Sequence, residues 1–295
     1  MLKKYFQKIL IIFATVILIA SCEDPAPKDY FKTTVVEALL IVDAPIENIR
    51  ITKTLPLYEP YEFANSIISD AKVFIYEVGE FNQEFELVFR NSENRNEIGY
   101  YFPNKNYTVK RNTTYDLKII LSDGTTVTGT TTTPDSISWV NKIPQFVQYP
   151  FDTINRPVNN ALFSEWKNEN PHNAFYMISY TCLDTFEYGN LFSPPIFELN
   201  RRTYPPRRRE LSYRERSYNT FGILPRNPLQ WHYFKWFGHH SIKVYLPDKN
   251  YQNWLLYFFF TGELDEKANS LKGCAGFFGS AFMLESEFIL LKNQP

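Results

Sequence analysis

Hydrophobic and polar residues alternate along several separate segments of this chain. The clearest examples are Ile49–Thr54, Thr114–Leu121 and Ile242–Leu246. In each, apolar side chains occupy every second position, which is the pattern of a strand with one buried face and one wet face. Many short strands separated by turns are typical of a β-sandwich.

The strands predicted before residue 134 follow one another closely. They are Thr34–Val42, Ile49–Thr54, Ala71–Glu77, Phe85–Phe89, Gly99–Pro103, Thr114–Leu121 and Thr126–Thr132. Asp123-Gly124 predicts a tight hairpin between the last two. Leu55–Ser66 contains two prolines and is predicted as a loop. We therefore expect an immunoglobulin-like β-sandwich over residues 33–134.

Pro134 marks a predicted boundary, after which we expect a second β-rich domain over residues 135–295. Its predicted strands are Ala161–Trp166, Ala174–Thr181, Ile242–Leu246 and one or two within Phe277–Leu291. Asp248 is predicted to cap a helix from Lys249 to Phe260. Leu191–Leu229 is rich in proline and is predicted to be irregular. The chain as a whole is expected to be mostly β with one or two short helices.

The composition is typical of a mostly β fold, and the net charge bears on which kinds of partner to expect. The chain has 26 Phe and 20 Tyr, with 19 Pro and 11 Gly to supply turns. Its formal net charge is only -1, so no global field attracts nucleic acid or anionic lipid. We expect no nucleic-acid partner.

The first 22 residues have the pattern of an export signal. Lys3, Lys4 and Lys8 precede the apolar run Ile9–Ala20, which is shorter than the roughly 20 residues that span a bilayer. The run ends in Ile19-Ala20-Ser21-Cys22, which resembles a bacterial lipobox. The resemblance implies that residues 1–21 are removed and that Cys22 carries acyl chains, each buried methylene contributing about 0.8 kcal/mol of membrane affinity. An ordinary signal peptide or an uncleaved anchor are the alternatives.

Residues 22–32 are predicted to be an extended tether between the lipid and the first strand. Glu23 and Asp24 directly follow Cys22. This acidic pair resembles the signal that sends lipoproteins of the Bacteroidota to the cell surface. We expect outer-membrane attachment with the body facing outward, and attachment facing the periplasm is the alternative.

Several motifs resemble the domain-of-unknown-function 4249 family, whose members are lipoproteins of the Bacteroidota. The motifs are Ile49-x-Ile51-Thr52-Lys53-Thr54-x-Pro56-Leu57-Tyr58, Ile68–Val73, Tyr115-Asp116-Leu117, Tyr251–Leu255 and Asn269-x-x-x-Gly273-x-x-Gly276-x-Phe278-Gly279. Ala38 replaces a usual glycine. Genes of this family commonly lie beside TonB-dependent outer-membrane receptors, so the resemblance implies such a receptor as a partner. It implies no catalytic residue.

The glycines of the last motif are predicted to have a structural role. Gly273, Gly276 and Gly279 are not followed by the Lys-Ser/Thr pair of a phosphate-binding loop. They are expected to allow tight turns or close packing, while Asn269 bonds its own loop.

The remaining cysteine and histidine candidates do not indicate a site. Cys182 and Cys274 either form a disulfide or are two buried thiols. His232, His239 and His240 could be metal ligands, but adjacent strand residues point to opposite faces, so a surface or loop role without metal is expected. We expect no metal and no cofactor besides the covalent lipid on Cys22.

The most unusual segment lies between residues 201 and 216, where seven arginines accompany only two glutamates. Guanidinium groups bind carboxylates and phosphates in a bidentate manner. The segment is a candidate contact for an acidic partner or ligand, and a solvated loop is the alternative. The arginines are Arg201, Arg202, Arg207, Arg208, Arg209, Arg214 and Arg216.

The sequence shows no arrangement that indicates catalysis. It lacks a Gly-x-Ser-x-Gly elbow and a His-Glu-x-x-His motif. We expect a non-enzymatic accessory to TonB-dependent uptake that docks on a receptor or captures a ligand. A stand-alone glycan- or peptide-binding lipoprotein is the alternative, and a hydrolase would need convergent carboxylates or a nucleophile beside a base.

Overall fold

The computed structural model describes most of the predicted strand segments. The described residues are 32–47, 49–56, 62–79, 83–91, 99–149, 162–169, 174–183, 217–234, 237–261 and 266–291. The structural statements below concern these ranges.

The predicted mostly β fold with short helices is confirmed. The strands are β1 (Thr34–Ile41), β2 (Ile49–Lys53), β3 (Lys72–Val78), β4 (Gln83–Arg90), β5 (Tyr100–Pro103), β6 (Thr114–Ile120), β7 (Thr126–Thr132), β8 (Ile137–Asn141), β9 (Phe146–Gln148), β10 (Phe163–Asn168), β11 (Tyr176–Cys182), β12 (Ser217–Gly222), β13 (Arg226–Pro228), β14 (Gly238–Pro247), β15 (Leu271–Lys272) and β16 (Ala275–Leu291). The helices are α1 (Phe63–Ser66) and α2 (Lys249–Thr261), with a 3-10 turn at Trp231–Tyr233.

Most strands join a single sheet whose centre is the pair β1 and β16. The order is β12-β11-β14-β16-β1-β2-β5-β4-β3-β6-β7-β15, with β9 also paired to β16. The β1–β16 pair is parallel, while β1 and β2 are antiparallel. A separate small sheet has the order β13-β10-β8.

The sheet from β1 to β7 curls around a first hydrophobic core. Val36, Ile75 and Leu117 project into it and are fully or almost fully buried. The curl brings β7 against β16, where the hydroxyl oxygens of Thr131 and Ser280 are 2.9 Å apart. Each inward side chain alternates with an outward one, as the sequence pattern predicted.

A second core lies under the sheet formed by β11, β14 and the later half of β16. It is strongly aromatic, and its buried members include Trp166, Tyr180, Phe234 and Phe288. The rings of Trp166 and Tyr176 meet edge to face with their centroids 5.0 Å apart, a favourable arrangement for aromatic pairs. The abundant aromatic residues of the sequence therefore fill a core.

Strand β16 contributes to both cores. Phe278 packs in the first core, whereas Phe282 and Phe288 pack in the second. Phe277 faces the opposite side and contacts Trp254 of α2, with ring centroids 5.0 Å apart. The division into residues 33–134 and 135–295 stays a prediction, but the hydrogen-bonded sheet is continuous across position 134.

Tyr115, near the start of β6, forms a local contact that organises the first core. Its ring is buried, and its hydroxyl oxygen accepts a 2.9 Å hydrogen bond from the backbone N–H of Lys110. This contact is similar to the tyrosine corner of immunoglobulin-like sandwiches, where a tyrosine hydroxyl bonds a few residues upstream. It fixes the turn that leads into β6.

Two segments predicted as irregular contain regular structure. Leu55–Ser66 ends in the short helix α1, and Leu191–Leu229 includes β12 and β13. β12 pairs along its whole length with β11, so pairing to a buried neighbour stabilises a sequence that lacks clear alternation.

Within the described ranges, neither helix is both long and apolar enough to cross a bilayer.

Candidate functional site

The Asn269 loop before β16 is held by its own hydrogen bonds. The Asn269 side-chain amide donates to the carbonyl oxygen of Cys274 at 3.0 Å, and its Oδ1 accepts from the N–H of Leu271 at 3.1 Å. The asparagine side chain thus supplies hydrogen-bond partners for backbone groups inside a tight turn. The loop carries β15 to the edge of β7.

The glycines of this segment allow close approach of neighbouring backbone. Gly273 and Gly276 have φ values of +90° and +120°, which favour glycine. A Cβ atom on Gly276 would lie 2.0 Å from the carbonyl oxygen of Val36, and one on Gly279 would lie 2.8 Å from Cβ of Tyr251. Gly276 and Gly279 therefore allow β16 to pack against β1 and α2, whereas a Cβ atom on Gly273 would lie 2.5 Å from the carbonyl oxygen of Thr126 in β7.

The Asp248 carboxylate links α2, β16 and β7 beside the Asn269 loop. Its Oδ1 accepts hydrogen bonds from the N–H groups of Tyr251 (2.9 Å) and Ser280 (3.0 Å), and its Oδ2 accepts from the Thr131 hydroxyl at 2.7 Å. The first bond is the helix cap that the sequence predicted. Burial raises the pKa of the Asp248 carboxyl even though these hydrogen bonds act in the opposite direction.

Asn250 bridges two strands that are not directly paired. Its side-chain amide donates to the carbonyl oxygens of Thr130 (2.7 Å) and Phe278 (2.8 Å). Both amide hydrogens are therefore used, and the side-chain oxygen remains as an acceptor. Asp248 and Asn250 together fix the start of α2 against β7 and β16.

An open groove of about 540 Å³ lies beside the start of α2, on the outer face of the large sheet at β3, β6 and β7. We call it the β6–β7 groove. Its volume is in the range of pockets that hold small ligands. It is lined by Tyr76, Asp116, Leu117, Lys118, Thr128, Gly129, Thr130, Asn250, Ser270 and Lys272.

Strand register arranges the groove in two rows. In the first row, Thr128 of β7 is opposite Lys118 on one side and Lys272 on the other. In the second row, Asp116 is opposite Tyr76 and Thr130. The groove thus has a basic row and a row that offers a carboxylate, a hydroxyl and an aromatic ring.

Two contacts fix side chains of the second row. The Thr130 hydroxyl donates to Oδ1 of Asp116 at 2.6 Å. The ring of Tyr76 stacks on Phe74, with centroids 6.5 Å apart and planes 28° apart. These contacts hold a hydrogen-bond acceptor beside an aromatic face, which suits a polar ligand with an apolar side.

The lipid and arginine candidates lie outside the described residues. This applies to Cys22 and to the whole arginine-rich segment. The seven residues concerned are Arg201, Arg202, Arg207, Arg208, Arg209, Arg214 and Arg216. Their predicted roles stay predictions.

The structure separates the histidine candidates. His239 and His240 lie on β14 and not in a loop. His239 donates to Glu287 at 2.9 Å, while the buried His240 donates from Nδ1 to the carbonyl oxygen of Gly238 at 2.9 Å. The expected surface or loop position is therefore wrong for His240. Across the described ranges, no three His, Cys, Asp or Glu side chains are grouped as metal ligands.

The two cysteines are free thiols in different surroundings. Cys182 is buried at the end of β11, and Cys274 packs against the first core. Burial raises the pKa of the Cys274 thiol to about 12, so it resists ionisation at neutral pH. Of the two interpretations left open by the sequence, the structure has the unbridged one.

Sequence reasoning missed the β6–β7 groove. The alternation of β6 does place Asp116 and Lys118 on the outward face, which was the available signal. It does not show that β15 and the start of α2 approach the same face. The groove exists only because residues near 120, 250 and 270 meet.

Comparison with protein-family models gives a match, whereas a search of the curated proteins found none. The match is to the family described as a domain of unknown function (DUF4249), over residues 25–270. It spans most of the chain but ends before β15 and β16, so Lys272 of the groove and the core residues of β16 lie outside the matched range. The chain belongs to the DUF4249 family.

Proposed function

We propose that this protein is a lipid-anchored, non-enzymatic accessory to TonB-dependent nutrient uptake at the bacterial outer membrane. In this role it captures a ligand in the β6–β7 groove and presents it to a receptor in the same membrane. The lipobox-like end of the signal segment at Cys22 supports the anchoring. The groove is the observation that carries the binding role.

The geometry of the groove favours binding. Its aromatic ring, carboxylate and hydroxyl groups are held in place by strand pairing and by the Thr130–Asp116 hydrogen bond. Preorganised groups lose little conformational freedom when a ligand binds. Attachment to the membrane raises the effective concentration of the protein near its receptor.

Co-purification tests the accessory role. The lipidated protein is extracted from outer membranes after mild cross-linking, and its partners are identified by mass spectrometry. We expect a TonB-dependent receptor in the wild-type sample and its loss for Cys22→Ala, which is not anchored. If no receptor is recovered although the protein is in the membrane, the accessory role is wrong and stand-alone binding remains.

A further inference from the structure

Lys118 and Lys272 form a pair of cationic groups on one face of the β6–β7 groove. Both are exposed, and both are opposite Thr128 in the strand register. Neighbouring strands are roughly 4.8 Å apart, so the two lysine Cα atoms are about 10 Å apart. Two flexible ammonium groups at that separation can converge on one anion above Thr128.

The two ammonium groups have no ion-pair partner among the residues that the structure describes. In the part of the chain that the structure describes, neither forms a salt bridge. The nearest groove carboxylate, Asp116, already accepts the hydroxyl of Thr130. The side chains of Glu84 and Glu86 lie beyond β3, across from Tyr76 and Phe74. The basic row is therefore available to a ligand.

The second row favours a ligand with hydroxyl groups. The carboxylate of Asp116 and the side-chain oxygen of Asn250 accept hydrogen bonds, whereas Thr130 can exchange donor and acceptor roles. Tyr76 adds a partly exposed ring. A sugar ring has hydroxyl donors at its edge and an apolar C–H face that packs on such a ring.

A simple anion does not match both rows. Phosphate would use the lysines but would leave the hydroxyl-binding row and the ring of Tyr76 without a contact to the ligand. A neutral sugar would use the second row and leave two like charges opposite Thr128 unneutralised. We propose that the β6–β7 groove binds an acidic saccharide, with its carboxylate or sulfate between Lys118 and Lys272 and its hydroxyls on Asp116 and Asn250.

This inference rests on the proposed ligand-capture function and names its ligand class. The probes are a panel of uronate-bearing and sulfated oligosaccharides, each with a neutral counterpart, such as trigalacturonate and its methyl ester. Binding to the full protein in detergent is measured by calorimetry. We expect at least one acidic member to bind about tenfold more tightly than its neutral counterpart, which corresponds to roughly 1.4 kcal/mol.

Matched variants place the binding in the groove. Lys118→Gln with Lys272→Gln should lower affinity for the acidic probe about tenfold and reduce its salt dependence. Lys105→Gln removes an exposed lysine outside the groove and should leave affinity unchanged. Asp116→Asn should weaken the neutral probe more than the acidic one, because it weakens the hydroxyl-binding row for both but also removes a like charge beside the acidic probe.

Four results would overturn the inference, and the first three concern the saccharide probes. They are no binding by any acidic member, equal binding of acidic and neutral counterparts, and an affinity that the double lysine variant leaves unchanged. Competition by inorganic phosphate at the affinity of the saccharide would also overturn it. None of these measurements involves a receptor, so failure of the ligand class is distinguishable from failure of the accessory role, which co-purification tests.

Discussion

Among the described glycines whose surroundings are known, Gly276 has the least room for a side chain. Alanine there would place its Cβ 2.0 Å from the Val36 carbonyl oxygen and would adopt a φ of +120°. The backbone of β1 or β16 would have to move, so we expect Gly276→Ala to lower the free energy of unfolding by more than about 3 kcal/mol. Urea unfolding followed by tryptophan fluorescence measures the change.

Gly222→Ala is the matched control for this prediction. Nothing lies within 4 Å of a Cβ built at Gly222. We expect its free energy of unfolding to stay within about 0.5 kcal/mol of the wild type. Equal effects of the two substitutions would show that the contact with Val36 is not what requires glycine.

Asp248 gives stability a pH dependence of unusual sign. Burial raises the pKa of its carboxyl in the folded state above the unfolded value. The folded state therefore binds the proton more tightly, and stability falls as pH rises from the unfolded pKa through the folded one. Asp248→Asn stays neutral, so its stability relative to the wild type should improve between acidic and neutral pH.

Asp123→Asn is expected to show the opposite slope. The pKa of Asp123 is lowered, because its carboxylate accepts a 2.8 Å hydrogen bond from the N–H of Thr125. That stabilisation is present above the unfolded pKa and is lost as pH falls through the folded pKa. Unfolding of both variants at a series of pH values tests the pair, and identical slopes would contradict the assignment.

At the scale of elements, we expect that residues 33–134 cannot form the first core without β16. Residues 33–134 lack Phe278 and Leu271, which are buried members of that core. They also leave one edge of β1 unpaired. We expect the isolated fragment to aggregate or remain unfolded, as judged by circular dichroism and proteolysis.

A linked fragment provides the control. Residues 32–134 joined by a flexible linker to 247–282 regain α2, β15 and the first half of β16. We expect this protein to show a cooperative unfolding transition. Cooperative folding of residues 33–134 without the added segment would instead establish that the predicted domain is independent.

Local sequence patterns were sufficient to predict the strands and the helix but not how the strands pair. Alternation predicted β2, β6 and β14, and the Asp248 cap predicted α2, because each depends on residues close in sequence. The parallel pairing of β1 with β16 depends on contacts between residues far apart in the chain. No periodicity in either strand specifies the other as partner.

The same limit applies to the candidate site. The outward positions of Asp116 and Lys118 followed from the β6 pattern. Lys272 and Asn250 join them only through the pairing of β15 with β7 and the hydrogen bonds of the α2 start. Strand β12 was likewise not predicted, because its sequence follows a Pro- and Arg-rich segment. The strand is defined by its pairing with β11.

For the whole molecule, the predicted lipid on Cys22 determines where the groove acts. Cys22→Ala should leave both cores folded, because β1 begins only at Thr34 and the described cores contain no residue before Val36. It should release the protein from the membrane fraction. Fractionation of cells followed by immunoblotting measures the distribution.

Cys274→Ala is the control for the anchoring prediction. It removes a thiol next to β16, far along the chain from Cys22, and should remain with the membrane. If Cys22→Ala stayed membrane-bound after a high-salt wash, anchoring through Cys22 would be wrong.

The parallel pairing of β1 with β16 also limits when the chain can fold during its synthesis. β1 emerges from the ribosome well before its partner, because β16 begins about 240 residues later in the chain. Until then, one edge of a long apolar strand has no partner, and such edges are prone to aggregate. If the chain is exported as its first 22 residues predict, we expect it to cross the membrane before its central sheet is complete and to need chaperone protection until β16 has also crossed.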